Sequence, residues 1–389
     1  MRPSVAHPTV ATCVRLLPGT KRGKGARPPE RAMLERAFRR TAAYIFAMNQ
    51  SAAKFVLDPI YELVAAWLLR GDIPLSGRLR KETFPPNLYL AYRAQTRRLT
   101  YHIEDWDFSR ARPDLLTPRQ RATMHTVALG ETSGSAVADG FLRSFREHPE
   151  LAAFFGTWFV EELNHFLGYH LYLELMGEAW PVERAQAVAA TEFRPYAEDS
   201  YEVAACNMYQ ELVGYLVYRS MAEQVRDPFL AAMLRQFAKD ELRHYKLYQQ
   251  FVARRIQRDP PFRRTVLKVF LKGTSPFNQV SGGPGRVIEH LHRGIFYFRK
   301  AEFDFFVKQL EYLLGTRLEP FFRFYFSRNV PPCGLCDREV IDCDCAVLEP
   351  EDMPTERLPP YLPPPKETGG EADARTEVIL ARAAHAMVS

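Results

Sequence analysis

Apolar positions recur at helical spacing over most of the chain, and strand-type alternation is nearly absent. The helical period first runs from Glu30 to Arg70, with a break expected near Pro59. Prolines and aromatics then crowd residues 71–117, which read as an irregular connection with short helices. Thr117-Pro118 is a good helix start, because proline is tolerated in the first turn. Four long helices are predicted from there, over about 118–147, 149–178, 198–226 and 228–257, punctuated by Pro149, Pro181, Pro195 and Pro228. Ser281–Gly285 is a glycine-rich loop, and Arg286–Arg328 is helical and dense in phenylalanine. From Pro331 the chain turns to prolines, acids and cysteines, with a short helix near 375–387. The predicted class is all-α. The expected organisation is a tail (1–29), N-terminal helices and connection (30–117), a four-helix bundle (118–257), flanking aromatic helices (258–330) and a Pro/Cys extension (331–389).

Composition narrows this picture. With 389 residues, 47% of them hydrophobic, the chain can build a large core. No apolar run is long enough to predict a membrane span, and cytosol is the default compartment. Residues 1–29 hold basic residues and no acid, which reads as a disordered basic tail, with an organelle-targeting segment as the other reading. The net charge of +6 is spread along the chain, so no focused basic face for nucleic acid is expected. Four of the six cysteines, Cys333, Cys336, Cys343 and Cys345, fall close together, unlike a secreted disulfide framework. Their Cys-x-x-Cys and Cys-x-Cys spacing suits a zinc site or, less well, an iron–sulfur centre; free thiols are the plain alternative.

The chemistry lies in two stretches, Trp158-Phe-Val-Glu161-Glu162-Leu-Asn-His165 and Lys239-Asp240-Glu241-Leu-Arg-His244. Each contains Glu-x-x-His in a strongly apolar helix, and residues three apart share a helix face. One such pair means little. Two pairs with matched partners mean more: Glu131 lies about thirty residues before the first and Glu211 about thirty before the second, one helix, a turn and a return to the same height. A glutamate from each of two helices and Glu-x-x-His from each of two others make the recurring di-iron or di-manganese carboxylate site. Four carboxylates nearly neutralise two divalent ions, and two imidazoles complete the shell. Solvated helix faces or ordinary ion pairs are the competing reading.

The region from about Glu131 to Gln250 resembles the soluble acyl-carrier-protein desaturases of the ferritin-like superfamily. The likeness rests on Trp158, Glu161, Glu162 and His165, on Gln210-Glu211, and on Asp240-Glu241-x-Arg243-His244. It implies that Glu131, Glu162, His165, Glu211, Glu241 and His244 hold two iron ions. Asp240, Arg243 and Trp158 then fall where the family orients ligands by hydrogen bonds. One departure stands out: the family carries a threonine one turn after the third carboxylate, and this chain has Gly214. A difference in proton and oxygen handling is expected there.

Tyr169, four residues after His165, sits where ribonucleotide reductase small subunits place a radical tyrosine; with Asp240 it is a candidate catalytic residue. A hydrogen-bonded core tyrosine is the plainer reading, and Tyr248, four after His244, mirrors it. His102, His125, His148, His170, His290 and His292 have no partner at ligand spacing. No phosphate loop or nucleophile elbow is present. The expected function is a dioxygen-using di-iron oxidase acting on an acyl or other apolar substrate, carried by acyl carrier protein or coenzyme A. The resemblance also implies a ferredoxin-like electron donor and a homodimer. The rival readings are an N-oxygenase acting on an amine, a non-enzymatic iron-binding protein and a metal-free scaffold.

Overall fold

The computed structural model describes residues 61–177 (except 63, 67, 70–72, 98, 100, 118–119, 122–123, 125–126, 129–130 and 132–139), 199–273, 300–323 and 342. The chain divides into two units, Met1–Leu68 and Leu69–Ser389. In the first, the described residues between 61 and 68 are helical.

The described elements are α1 (Gly77–Lys81), α2 (Leu88–Thr96), α3 (Pro149–Leu175), α4 (Ser200–Gln224), α5 (Pro228–Arg258), α6 (Arg263–Gly273) and α7 (Lys300–Leu314), with short 3₁₀ turns between Ile103 and Leu115. No strand occurs among the described residues. The fold is all-α and ferritin-like. Three of the four predicted long helices appear within three residues of their expected ends, as α3, α4 and α5. Of the other, residues 120, 121, 124, 127, 128, 131 and 140–147 are described, helical up to 145 and a turn at 146–147. The cysteine group, the glycine-rich loop and the terminal helix lie outside the described residues.

Local chemistry explains the boundaries. Pro149 and Pro228 occupy the first turns of α3 and α5, where a missing N–H costs nothing. Gly177, at φ +71°, accepts the left-handed conformation just beyond α3. The Asp199 carboxylate accepts from the Tyr201 and Glu202 amides at the start of α4. Only residues 225–227 separate α4 from α5, so the two helices return antiparallel and pair along their lengths. Asp227, fully buried, fixes that corner by accepting from the Phe229 amide (2.8 Å), the Tyr172 hydroxyl (2.6 Å) and the Arg112 amide (2.8 Å). Phe154, Phe237, Tyr245 and Phe251 are among the large rings buried between the helices. Within that apolar interior lie His165, His244 and Asp240, all fully buried, with Glu162, Glu211 and Glu241 nearly so. Ionisable groups at such depth need partners, because an isolated buried charge costs several kcal/mol.

Candidate metal centre

The Glu-x-x-His pairs lie in the middle of α3 and α5, and both face α4 and the helical residue Glu131. The structure brings all six residues together. Glu162, Glu211, Glu241 and His244 form one group and Glu131, Glu162 and His165 a second, each with ligating atoms within 4.8 Å of one another. Glu162 is common to both.

Each imidazole turns Nδ1 toward the carboxylates. His165 Nδ1 is 3.3 Å from Glu162, 3.6 Å from Glu241 and 3.8 Å from Glu131. His244 Nδ1 is 3.2 Å from both Glu162 and Glu211. The opposite nitrogens face outward to a second pair of acids in a crossed arrangement. His244 Nε2 meets Glu161 at 2.6 Å, and His165 Nε2 meets Asp240 at 3.3 Å. Each helix thus supplies the acid that holds the other helix's histidine. An Nε2–H donated to an acid leaves the Nδ1 lone pair for a metal.

The outer acids are themselves held. The Tyr92 hydroxyl donates to Glu161 at 2.7 Å, and the Tyr101 hydroxyl donates to Asp240 at 2.9 Å. Gln236 donates to Asp240 at 3.1 Å. Arg243 bridges the two, 2.5 Å from Asp240 and 3.6 Å from Glu161. Among the cluster carboxylates, Glu211 accepts from the Trp158 indole at 2.9 Å, and Glu131 accepts from the Tyr218 hydroxyl.

Without a metal, the cluster partitions its protons. Burial and the Glu162 charge push Glu131 up to about 8. Burial also raises Glu241 well above the carboxylate range. Glu162 goes the other way: burial opposes its charge, but His165 and His244 outweigh it and bring it down to about 2. Burial likewise opposes charge on His165, yet Glu162 and Asp240 hold it up at about 10. These groups are arranged for charges they do not all carry when alone. His165 Nδ1 and Glu162 Oε1 are buried without hydrogen-bond geometry among the described residues. The donor set, its burial and these orphaned atoms fit a pair of divalent cations.

The remaining sequence candidates divide. Tyr169 is fully buried with its ring against Phe237 (5.6 Å) and Tyr218 (6.1 Å). Tyr248 is a core tyrosine whose hydroxyl accepts from Asn207 at 3.3 Å. His148 meets the Ser200 hydroxyl at 2.8 Å and His170 lies 3.5 Å from Glu174, both away from the cluster. Cys333, Cys336, Cys343, Cys345, His125, His290 and His292 lie outside the described residues. Sequence reasoning gave no role to Glu161, Tyr92, Tyr101, Gln236 or Tyr218. Glu161 was recoverable, since an acid precedes the ligand glutamate in both motifs. Tyr218 was too, because it falls seven residues after Glu211 on the same helix face. Tyr92 and Tyr101 left no local signal.

Residues 147–277 match the family model described as fatty acid desaturase. The chain is 27% identical over 100 residues to DesA2 of Mycobacterium tuberculosis, described as a candidate acyl-acyl-carrier-protein desaturase, in each of two strains. That stretch covers 25% of this chain and 36% of each relative, so the chain spans little more than a third of their length. No solved structure matches the chain. The matched segment contains both Glu-x-x-His pairs and Glu211, while Glu131 precedes it. The kinship with ferritin-like acyl-carrier-protein desaturases expected from the two motifs is shown over this segment. No helix among the described residues is long and apolar enough to cross a membrane.

Proposed function

We propose that this protein is a di-iron oxidase of the acyl-desaturase kind, removing hydrogen from an acyl or other apolar substrate with dioxygen. The observation that carries the reading is the pair of buried, overlapping ligand groups that share Glu162. Glu131, Glu162 and His165 would hold one ion, and Glu162, Glu211, Glu241 and His244 the other. Bound there, two iron ions supply the redox capacity to activate dioxygen.

The chain's own residues supply the rest. Four carboxylates offset the charge of two divalent cations in a site that water scarcely reaches. Asp240 and Glu161 hold Nε2–H of His165 and His244, which fixes each ring and its tautomer. Arg243 lies between the two outer acids and pairs with both beside the imidazoles. Trp158 and Tyr218 orient Glu211 and Glu131 by donating to one oxygen of each. Phe154 and Phe237 pack on the imidazoles, at 5.9 Å from His244 and 4.3 Å from His165, and keep bulk water away. Asp240 is therefore a positioning residue, touching the ligand histidine. Tyr169 stands within the ring cluster behind His165, against Phe237 and Tyr218.

The relatives' description suggests the substrate class, an acyl chain on acyl carrier protein; a ferredoxin-like electron donor and a homodimeric assembly, implied by the desaturase resemblance alone, complete the proposal. The test is metal analysis with Mössbauer spectroscopy on protein purified without chelators, followed by product analysis with acyl-carrier-protein and arylamine substrates. A coupled iron pair and an unsaturated acyl product are expected. Iron-free active protein, or oxidation of the amine alone, overturns the reading.

A further inference from the structure

Gly214 lies inside α4, one turn after Glu211 and one turn before Tyr218. A glycine in a helix interior is unfavourable relative to alanine. Its backbone is not in the left-handed region, so conformation does not explain the choice. Space does. A Cβ at this position would lie 2.8 Å from the carboxyl carbon of Glu241 and 3.0 and 3.1 Å from its two oxygens. The Glu241 carboxylate therefore rests against the bare backbone of α4, in the volume that any other side chain would fill.

The placement matters because Glu241 stands between two groups. It shares ligating distance with Glu162, Glu211 and His244, whereas the Glu131, Glu162 and His165 group does not include it. Yet one of its oxygens is only 3.6 Å from His165 Nδ1. A small swing of this flexible side chain would exchange one side for the other.

We propose that Gly214 is a positioning residue: its missing side chain forms the seat that keeps Glu241 on the Glu211–His244 side of the cluster. The consequence for metal binding rests on the di-iron reading; the seat itself does not. With glycine at 214 the His244 side offers four ligating residues and the His165 side three, so the two ions bind unequally. A methyl group at 214 pushes the carboxylate toward His165. The metal-free protein accommodates this, because only the end of a flexible side chain must give. The metal-bound protein loses a donor from its better-furnished side.

The test compares wild type, Gly214→Ala and Gly156→Ala. Gly156 is a helical glycine in α3 with nothing within 4 Å of a Cβ placed on it, and it controls for the exchange itself. Metal-free crystals of the wild type should show Glu241 against residue 214, and crystals of Gly214→Ala should show it turned away from Glu211. In anaerobic calorimetric titrations with Co(II), the tighter binding event should weaken about ten- to hundredfold in Gly214→Ala, as for other groups that orient a ligand. Gly156→Ala should titrate like wild type. An unmoved Glu241 in the variant crystals, or wild-type affinity for the first Co(II) in Gly214→Ala, overturns the proposal. A wild-type protein that takes up no Co(II) refutes the di-iron reading instead, and the crystals still decide the seat.

Discussion

The His165 and His244 sides of the cluster follow one plan and are furnished differently. On each, an imidazole points Nδ1 inward and gives Nε2 to an acid from the opposite motif. The His244 side has the shorter outer contact, 2.6 Å to Glu161, and four ligating residues. The His165 side has a 3.3 Å contact to Asp240 and three ligating residues, but Asp240 has more support, from Tyr101, Gln236 and Arg243. A repeated sequence pattern thus yields a near-twofold scaffold whose halves differ in what surrounds them. The difference teaches that ligand spacing fixes the plan and that the residues around it set the inequality.

Glu162 is the one residue common to both halves, so its loss should cause the largest effect. Glu162→Ala is expected to remove both ions and to lower oxidase activity by more than about a hundredfold, since even outer partners of a ligand cost ten to a hundredfold. His244→Ala should spare part of the binding on the His165 side. Iron content per chain, read by elemental analysis, distinguishes the two; full iron in Glu162→Ala would break the comparison at its root.

The crossed supports come next in size. Glu161→Gln should disturb the His244 side and Asp240→Asn the His165 side, each weakening metal binding about ten- to hundredfold. In paramagnetic proton spectra of the Co(II) protein, two exchangeable imidazole N–H signals are expected. Glu161→Gln should shift the signal of His244, and Asp240→Asn that of His165. If both variants shift the same signal, the crossing does not hold in solution.

Much of this was legible in the sequence because it depends on helical period. Glu162 with His165 and Glu241 with His244 fall three apart, and Glu131 and Glu211 stand one helix away, so the six positions converge wherever the helices form a bundle. Pro149 and Pro228 marked the starts of α3 and α5 for the same local reason. The supports were less legible. Tyr92 and Tyr101 come from the irregular connection, 69 and 139 residues from the acids they hold, and nothing local encodes a contact across such a separation. Gly214 was visible as a departure from the desaturase pattern, but its contact with Glu241 belongs to tertiary packing between α4 and α5.

The two sides also respond jointly to pH, with opposite signs in the metal-free and metal-bound forms. His165 is raised from 6.5 to about 10, so the stability it contributes is complete below 6.5 and is lost as pH rises through 10. Glu131, raised from 4.5 to about 8, loses its contribution over that lower interval, again as pH rises. Glu162, lowered to about 2, matters only in acid, where its contribution is lost as pH falls. The metal-free protein should therefore melt at a lower temperature at about pH 9 than at about pH 6. Metal uptake must expel these protons, so its affinity should rise over the same interval and protons should be released on binding. Melting scans and titrations in buffers of different ionisation enthalpy check both signs.

A smaller effect sharpens the contrast between two faces of α3 itself. Gly168, one turn beyond His165, lies where a Cβ would meet Phe237 at 2.8 Å, Met233 at 3.1 Å and Ile103 at 3.2 Å. Phe237 also packs on His165, at 4.3 Å between ring centroids, so the close approach at Gly168 helps set how near α5 comes to the ligand. Forcing a methyl into such a core costs about 1–3 kcal/mol, against roughly 1 kcal/mol returned by better helix propensity. Gly168→Ala should therefore lower the stability of the metal-free protein by up to about 2 kcal/mol. Gly156→Ala, on the open face, should raise it by up to about 1 kcal/mol. Urea denaturation of the two variants reads both numbers with the same probe. A Gly168→Ala protein as stable as Gly156→Ala would mean that α3 and α5 can separate without cost, and the inequality between the two sides would then have to come from the ligands alone.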